Sequence, residues 1–203
     1  YTFRNNPDQK ALPMRRWQFA YPGTHLGGAG NHWSGAYYRF DPTDFRIRSH
    51  YTERYGAGIF DKELTCQDWP LTYDELEPYF DRYDYLIGAS GQAGNIKGQK
   101  QDGGNPFEPW RSRPYPNPPM KVPYAPALFG EAARKLGYHP YVQPSALCTR
   151  PYVNSEGLHM SACVYCGFCS NFGCEHFAKA SPQVCILPVA MKLKNFEIRT
   201  GAH

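Results

Sequence analysis

Four of the chain's seven cysteines fall within twelve residues, Cys163, Cys166, Cys169 and Cys174, spaced C-x2-C-x2-C-x4-C. That run constrains the fold more than any other feature. Buried cysteines that serve only as small hydrophobes scatter through a core, whereas thiolates two residues apart wrap a loop around one metal centre. Gly167 and Gly173 beside them let the backbone turn tightly. Three readings remain open. An iron–sulfur cluster fits the close triplet followed by a fourth cysteine, although the last gap is one residue longer than in the bacterial ferredoxin run and no proline follows. Structural zinc prefers two separated pairs, and would recruit His159 or His176. Disulfides between such close neighbours meet bridge geometry poorly.

With 203 residues and 41% hydrophobic content the chain can build a core. Its 19 glycines, 19 prolines and 16 tyrosines predict a loop-rich structure. The net charge of +4 comes from 22 basic residues spread along the chain, which gives no nucleic-acid signature. No apolar run is long enough to cross a bilayer, the first residues are no signal peptide, and a chain that starts without methionine reads as incomplete.

Residues 1–20 read as loop and extended chain. In the stretch from Tyr21 to Gly35, the glycine-dense turn Gly27-Gly28-Ala29-Gly30-Asn31-His32-Trp33 exposes backbone N–H groups suited to a phosphate or pyrophosphate, or serves as a plain tight connector. Alternation over Phe45–Tyr51 predicts an extended segment. Thr72 and Glu75 form a capping-box pattern, Pro78 suits the first turn of a fresh helix, Phe80, Tyr83 and Ile87 share a face, and Gly88 is the stop. Residues 88–126 form a long loop whose aromatics Phe107, Trp110 and Tyr115 favour a packed lid. A helix is predicted from about Pro126 to Leu136 with Phe129, Ala132, Ala133 and Leu136 inward and Gly137 as its stop, then a strand over Tyr138–Val142. Ile186–Lys192 reads as a short helix and Asn195–Thr200 as a strand. Cys66, Cys148 and Cys185 read as buried thiols, with Cys66 and Cys148 a conceivable pair under oxidation.

The turn at Gly27–Gly35, the run Asp68–Tyr79 and the stretch Cys163–Pro182 together resemble the glucose-methanol-choline flavoprotein oxidoreductases, in the branch of bacterial membrane-bound gluconate, 2-ketogluconate and sorbitol dehydrogenases. The resemblance implies a two-part fold of mixed α/β and α+β character, with an FAD-binding α/β half and an antiparallel-sheet substrate half. On that reading residues 1–60 hold part of the FAD region, 61–145 a helical, lid-like cap, and 146–203 the cysteine loop and a return to the FAD half. It implies FAD-dependent oxidation of an alcohol on a sugar or sugar acid. Electrons then pass through an iron–sulfur cluster, three-iron rather than four-iron, to a multi-haem cytochrome c subunit in an assembly with a small subunit. Location is then periplasmic, membrane-associated only through the partner.

By the same resemblance Gly27 to Trp33 run along the flavin, and His32 stands where some relatives carry a histidyl–flavin bond. Cys163, Cys169 and Cys174 match a three-cysteine ligand pattern with one extra residue, leaving Cys166 spare. The family's G-x-G-x-x-G turn and catalytic histidine region are absent from these residues, so none of His25, His50 or His139 is assigned as a base. The alternative is a stand-alone iron–sulfur or zinc module for electron transfer or scaffolding.

Overall fold

The computed structural model describes residues 25–61 and 63–201, with positions 2–3, 8, 10, 12–13 and 23. Most of the expected loop and extended chain over 1–20, and Tyr21, Pro22 and Thr24 of the glycine stretch, lie outside the described residues. The elements in chain order are β1 (Thr2–Phe3), β2 (Leu12–Pro13), α1 (Ile47–Tyr55), α2 (Tyr73–Ile87), β3 (Asn95–Ile96), β4 (Gln99–Lys100), α3 (Tyr124–Lys135), β5 (Tyr152–Val153), β6 (His159–Met160), α4 (Pro182–Cys185) and α5 (Leu187–Ala190). Neighbouring strands pair antiparallel as β1–β2, β3–β4 and β5–β6. No described helix is long and apolar enough to cross a membrane.

Between these small ladders, single-residue bridges stitch distant segments into one layer. Ser90 and Ser145 exchange both backbone hydrogen bonds, at 2.8 and 2.9 Å. Ser145 also bridges Ala36, Ser90 bridges Asn117, and Leu147 bridges Lys179. Around this layer lies the buried apolar cluster of Ile87, Ala89, Ala93, Tyr115, Ala146, Cys148, Met160, Ala180 and Cys185, with Trp33, Tyr37 and Val184 packed against it. Burial of such side chains contributes roughly 25 cal/mol per Å² of apolar surface, and here small residues dominate so that backbones approach closely.

Helix α2 starts as its capping pattern predicts. The Glu75 N–H donates to Thr72 Oγ1 at 3.3 Å, and the Thr72 N–H donates to the Glu75 carboxylate at 2.8 Å. Gly88 ends it in the left-handed region at φ 61°. Pro78, however, lies inside the helix and not in a first turn. The start is fixed six residues upstream by Thr72, so the ring removes one interior hydrogen bond, a change of about 3 kcal/mol that tertiary contacts must offset.

Those contacts are ionic. Arg39 reaches Glu77 at 3.1 Å and Asp84 at 2.7 Å, all three side chains being almost fully buried. Arg111 lies 3.4 Å from Asp84, its guanidinium stacked 3.6 Å over the Tyr115 ring. Ser112 donates to Glu77 from its N–H and its hydroxyl, at 2.8 and 2.7 Å. Burial works against the Glu77 charge, yet the Ser112 donors and Arg39 hold its carboxyl below the usual range. The inner face of α2 therefore reads Tyr73, Glu77, Asp84, Ile87, whereas Tyr83 is exposed. The same contacts pin the segment after α2 at Trp110 and Tyr115, where the Tyr73 hydroxyl donates to the Trp110 carbonyl at 2.7 Å, whereas Phe107, expected to pack with them, stands exposed.

Four other expectations are corrected. Phe45–Tyr51 is not extended: Asp41 accepts from the Thr43 N–H at 2.9 Å, the Asp44 carboxylate accepts from the Asp41 N–H at 2.7 Å, and Pro42 opens a 3-10 turn that runs into α1. The alternation there did not reflect a sheet face. In α3, which begins at Tyr124, only Gly130 and Ala133 are buried; Phe129 and Leu136 stand 74% and 75% exposed, because the small residues make the close approach. Tyr138–Val142 and Asn195–Thr200 form no strand, since neither finds a partner among the described residues.

Candidate functional site

Three segments meet at one side of the stitched layer: the glycine turn, the cysteine loop and residues 178–186. The turn opens with Gly27 at φ 89° and Gly28 at φ 57°, both in the left-handed region, and continues as a 3-10 turn over Gly28–Asn31. The Gly28 N–H donates to the His25 carbonyl at 2.9 Å, and the Asn31 amide donates to the Leu26 carbonyl at 2.6 Å. The absence of side chains serves two different ends. A Cβ on Gly30 would sit 3.0 Å from Pro182 Cδ, so that glycine permits packing on α4. A Cβ on Gly28 would find nothing nearer than the Gly23 carbonyl at 4.0 Å, leaving that side of the turn open.

Trp33 is half-buried against the core, and its indole N–H donates to the Ala180 carbonyl at 2.8 Å. With Ala29, Gly30, Tyr83 and Pro182 it lines a cavity of about 380 Å³. His32 lies beside His25, ring centroids 5.8 Å apart, and its backbone carbonyl accepts from the Asn171 N–H at 2.9 Å. The turn residues Gly27, Gly28 and Asn31 are not among that cavity's lining. The cavity falls within the usual size range of ligand pockets and is mainly apolar.

The cysteine loop surrounds a second, open cavity of about 680 Å³, lined by Cys166, Cys169 and Cys174 together with Phe168, Phe172 and His176. Cys163 is not in the lining; its backbone N–H donates to the Cys148 carbonyl at 2.8 Å, and its sulfur accepts from the Tyr165 N–H at 3.4 Å. Left-handed backbone at Tyr165, Gly167 and Asn171 bends the loop around the thiols. Among the described residues no three His, Cys, Asp or Glu side chains converge closely enough to hold a single metal ion.

All seven cysteines are free thiols, and Cys66 and Cys148 are not paired. Burial pushes the Cys148 thiol up to about 12 and Cys185 up to about 11, which makes both inert at neutral pH. They are buried, as expected, while Cys66 is only half-buried. Burial also raises Cys169, with the Cys163 charge adding to it and Lys179 opposing.

Lys179 is the residue that sequence reasoning passed over. It is 1% exposed, and its ammonium donates to the carbonyls of Trp33 at 2.7 Å, Cys169 at 2.8 Å and Phe172 at 2.7 Å. Its neighbours Ala178 and Ala180, both buried, were the available clue: a lone charge between small apolar residues at the end of a cysteine run.

No family model matches the chain. It is similar along its whole length, at 44% identity, to the gluconate 2-dehydrogenase flavoprotein of Pantoea cypripedii, of which it covers 33%. It is 31% identical over 71% of its length to a 2-methyl-1,2-propanediol dehydrogenase of Mycolicibacterium austroafricanum, covering 22% of that protein. Against the fructose dehydrogenase large subunit of Gluconobacter japonicus it is 32% identical over 63% of its length, covering 20% of that subunit. The shared class is flavoprotein-type oxidoreductases. The chain belongs to the glucose-methanol-choline family, and spans about a third or less of the length of the relatives it matches.

Proposed function

We propose that the chain is part of an FAD-dependent dehydrogenase that oxidises an alcohol group of a sugar or sugar acid of the gluconate kind. Electrons leave through a thiolate-bound iron–sulfur cluster toward a cytochrome c subunit. The observation that carries this reading is the similarity, 44% identity over the full chain, to a gluconate 2-dehydrogenase flavoprotein. When bound, FAD supplies a hydride acceptor and the cluster a one-electron relay. Ala29, Gly30 and Trp33 form a wall for the flavin, and the open side of Gly28 leaves room for close approach. Cys169 and Cys174 are thiolate ligands on either count; the third is Cys163 by family resemblance or Cys166 by its place in the cavity lining. A two-part architecture, periplasmic location and membrane association through a partner belong to the same proposal.

In the full-length protein, acid precipitation should release stoichiometric flavin, gluconate should drive dye reduction, and iron should accompany acid-labile sulfide. Flavin without sulfide would remove the cluster from the proposal; sulfide without flavin would favour a stand-alone electron-transfer module. Electron paramagnetic resonance of Cys163→Ser and Cys166→Ser decides the third ligand by which variant loses the signal.

A further inference from the structure

Lys179 stands where the two halves of the site touch. Its own backbone is fixed: residue 179 bridges Leu147, the Ala180 N–H donates to the Ala146 carbonyl at 2.9 Å, and the Cys148 N–H donates to the Ala178 carbonyl at 2.9 Å. The stem passes over Gly35, where a Cβ would lie 3.7 Å from Lys179 Cδ. From that anchor the three ammonium protons go to three carbonyls, one at the exit of the glycine turn and two in the cysteine loop.

Other hydrogen bonds among the described residues reinforce this junction: Asn171 N–H to the His32 carbonyl joins the loops directly, the Trp33 indole donates to the Ala180 carbonyl, and the Gln183 amide donates to the Leu26 carbonyl. Among the described residues no carboxylate pairs with Lys179. Carbonyl dipoles solvate a buried ammonium without cancelling its charge, and an unbalanced buried charge is costly. Burial pushes the Lys179 ammonium down from its ordinary range, and the groups that oppose this are Cys169, Cys174 and Cys166, the same three that line the open cavity.

We propose that Lys179 is a positioning residue: it ties the glycine turn to the cysteine loop, and it supplies a fixed positive charge to the Cys166, Cys169 and Cys174 cavity. Resting on the function proposed above, the consequence is that an anionic thiolate-ligated centre is held at one separation from the flavin wall. Its reduction potential is higher than it would be without the lysine, since a nearby positive charge favours the added electron.

The test compares Lys179→Met and Lys179→Arg with the unaltered full-length protein. By hydrogen exchange, residues 27–35 and 163–177 should both exchange about tenfold faster or more in Lys179→Met, as loss of a charged hydrogen bond alone allows, with α2 unchanged. By redox titration, Lys179→Met should fall in potential while Lys179→Arg, which keeps the charge, stays near the unaltered value. Unchanged exchange, loosening of one loop only, or an equal potential shift in both variants would overturn the proposal. If Lys179→Met loses protection throughout, Lys179→Arg decides: both loops keeping most of their protection supports the tie, and loosening of one loop only refutes it. If the unaltered protein holds no cluster, the proposed function fails on that point and the exchange measurement alone decides for Lys179.

Discussion

Two buried cationic centres hold this molecule together, and they are neutralised in opposite ways. Around α2, the charges of Arg39 and Arg111 are met by the carboxylates of Glu77 and Asp84. At the cysteine loop, Lys179 meets only backbone carbonyls. Cations met by carboxylates inside the fold read as structure, even though the Arg111 nitrogens and Asp84 Oδ1 keep no hydrogen-bond partner there. A buried cation met only by carbonyl dipoles has its hydrogen bonds but no counter-charge, and the proposed role of Lys179 rests on that difference.

The sharpest way to break the contrast is Asp84→Asn, which leaves Arg39 with Glu77 and Arg111 with only the Glu108 carboxylate, 3.9 Å away. Removing one partner of a buried ionic network strands a charge, so unfolding in denaturant should show a loss of about 3–5 kcal/mol. Lys179→Met removes the charge itself and strands only neutral carbonyls, which water reaches once the exposed loop opens. Its effect on global stability in the same assay should be smaller, about 1–3 kcal/mol. If Lys179→Met proved the more damaging of the two, the distinction between structural and site charge would fail.

Acid titration sharpens the comparison. The Glu77 carboxyl is held below its ordinary 4.5 in the folded state, so its contribution is fully present above that pH and is lost as pH falls through the lowered folded value. Glu77→Gln should therefore flatten the loss of stability seen on acidification below about pH 4.5 in denaturant melts. An unchanged slope would show that Glu77 does not titrate with folding. The smallest effect belongs to the exposed pair Arg113–Asp81, 2.7 Å apart with the arginine stacked on Tyr85. Arg113→Ala should cost about 1 kcal/mol or less in the same melts, because solvent screens the pair.

Local signals survived into the structure and long-range ones did not announce themselves. The Thr72–Glu75 box and the Gly88 stop are carried by neighbours in sequence, and both could be read directly. The cysteine spacing likewise marked the loop that gathers three thiols at a cavity. Nothing near Arg39 reveals that its partners lie 38 and 45 residues onward, nor does an amphipathic reading of α2 prepare for carboxylates on its buried face. The apolar Phe129 and Leu136 misled for the converse reason, since hydrophobic character does not say which face of a helix meets the core. Pro78 shows tertiary contacts overruling a local preference, and Phe45–Tyr51 shows a cap overruling an accidental alternation.

The bond from Lys179 to Trp33 spans 146 residues. Closing so long a segment sets its entropy against only a few contacts, so non-local ties of this kind are expected late in folding. A chain emerging in order exposes its glycine turn long before the lysine that secures it exists. The thiols of the cysteine loop are made only shortly before Lys179, so the cavity and the stitch that fixes it take shape together. Assembly of the site is accordingly tied to completion of the surrounding fold.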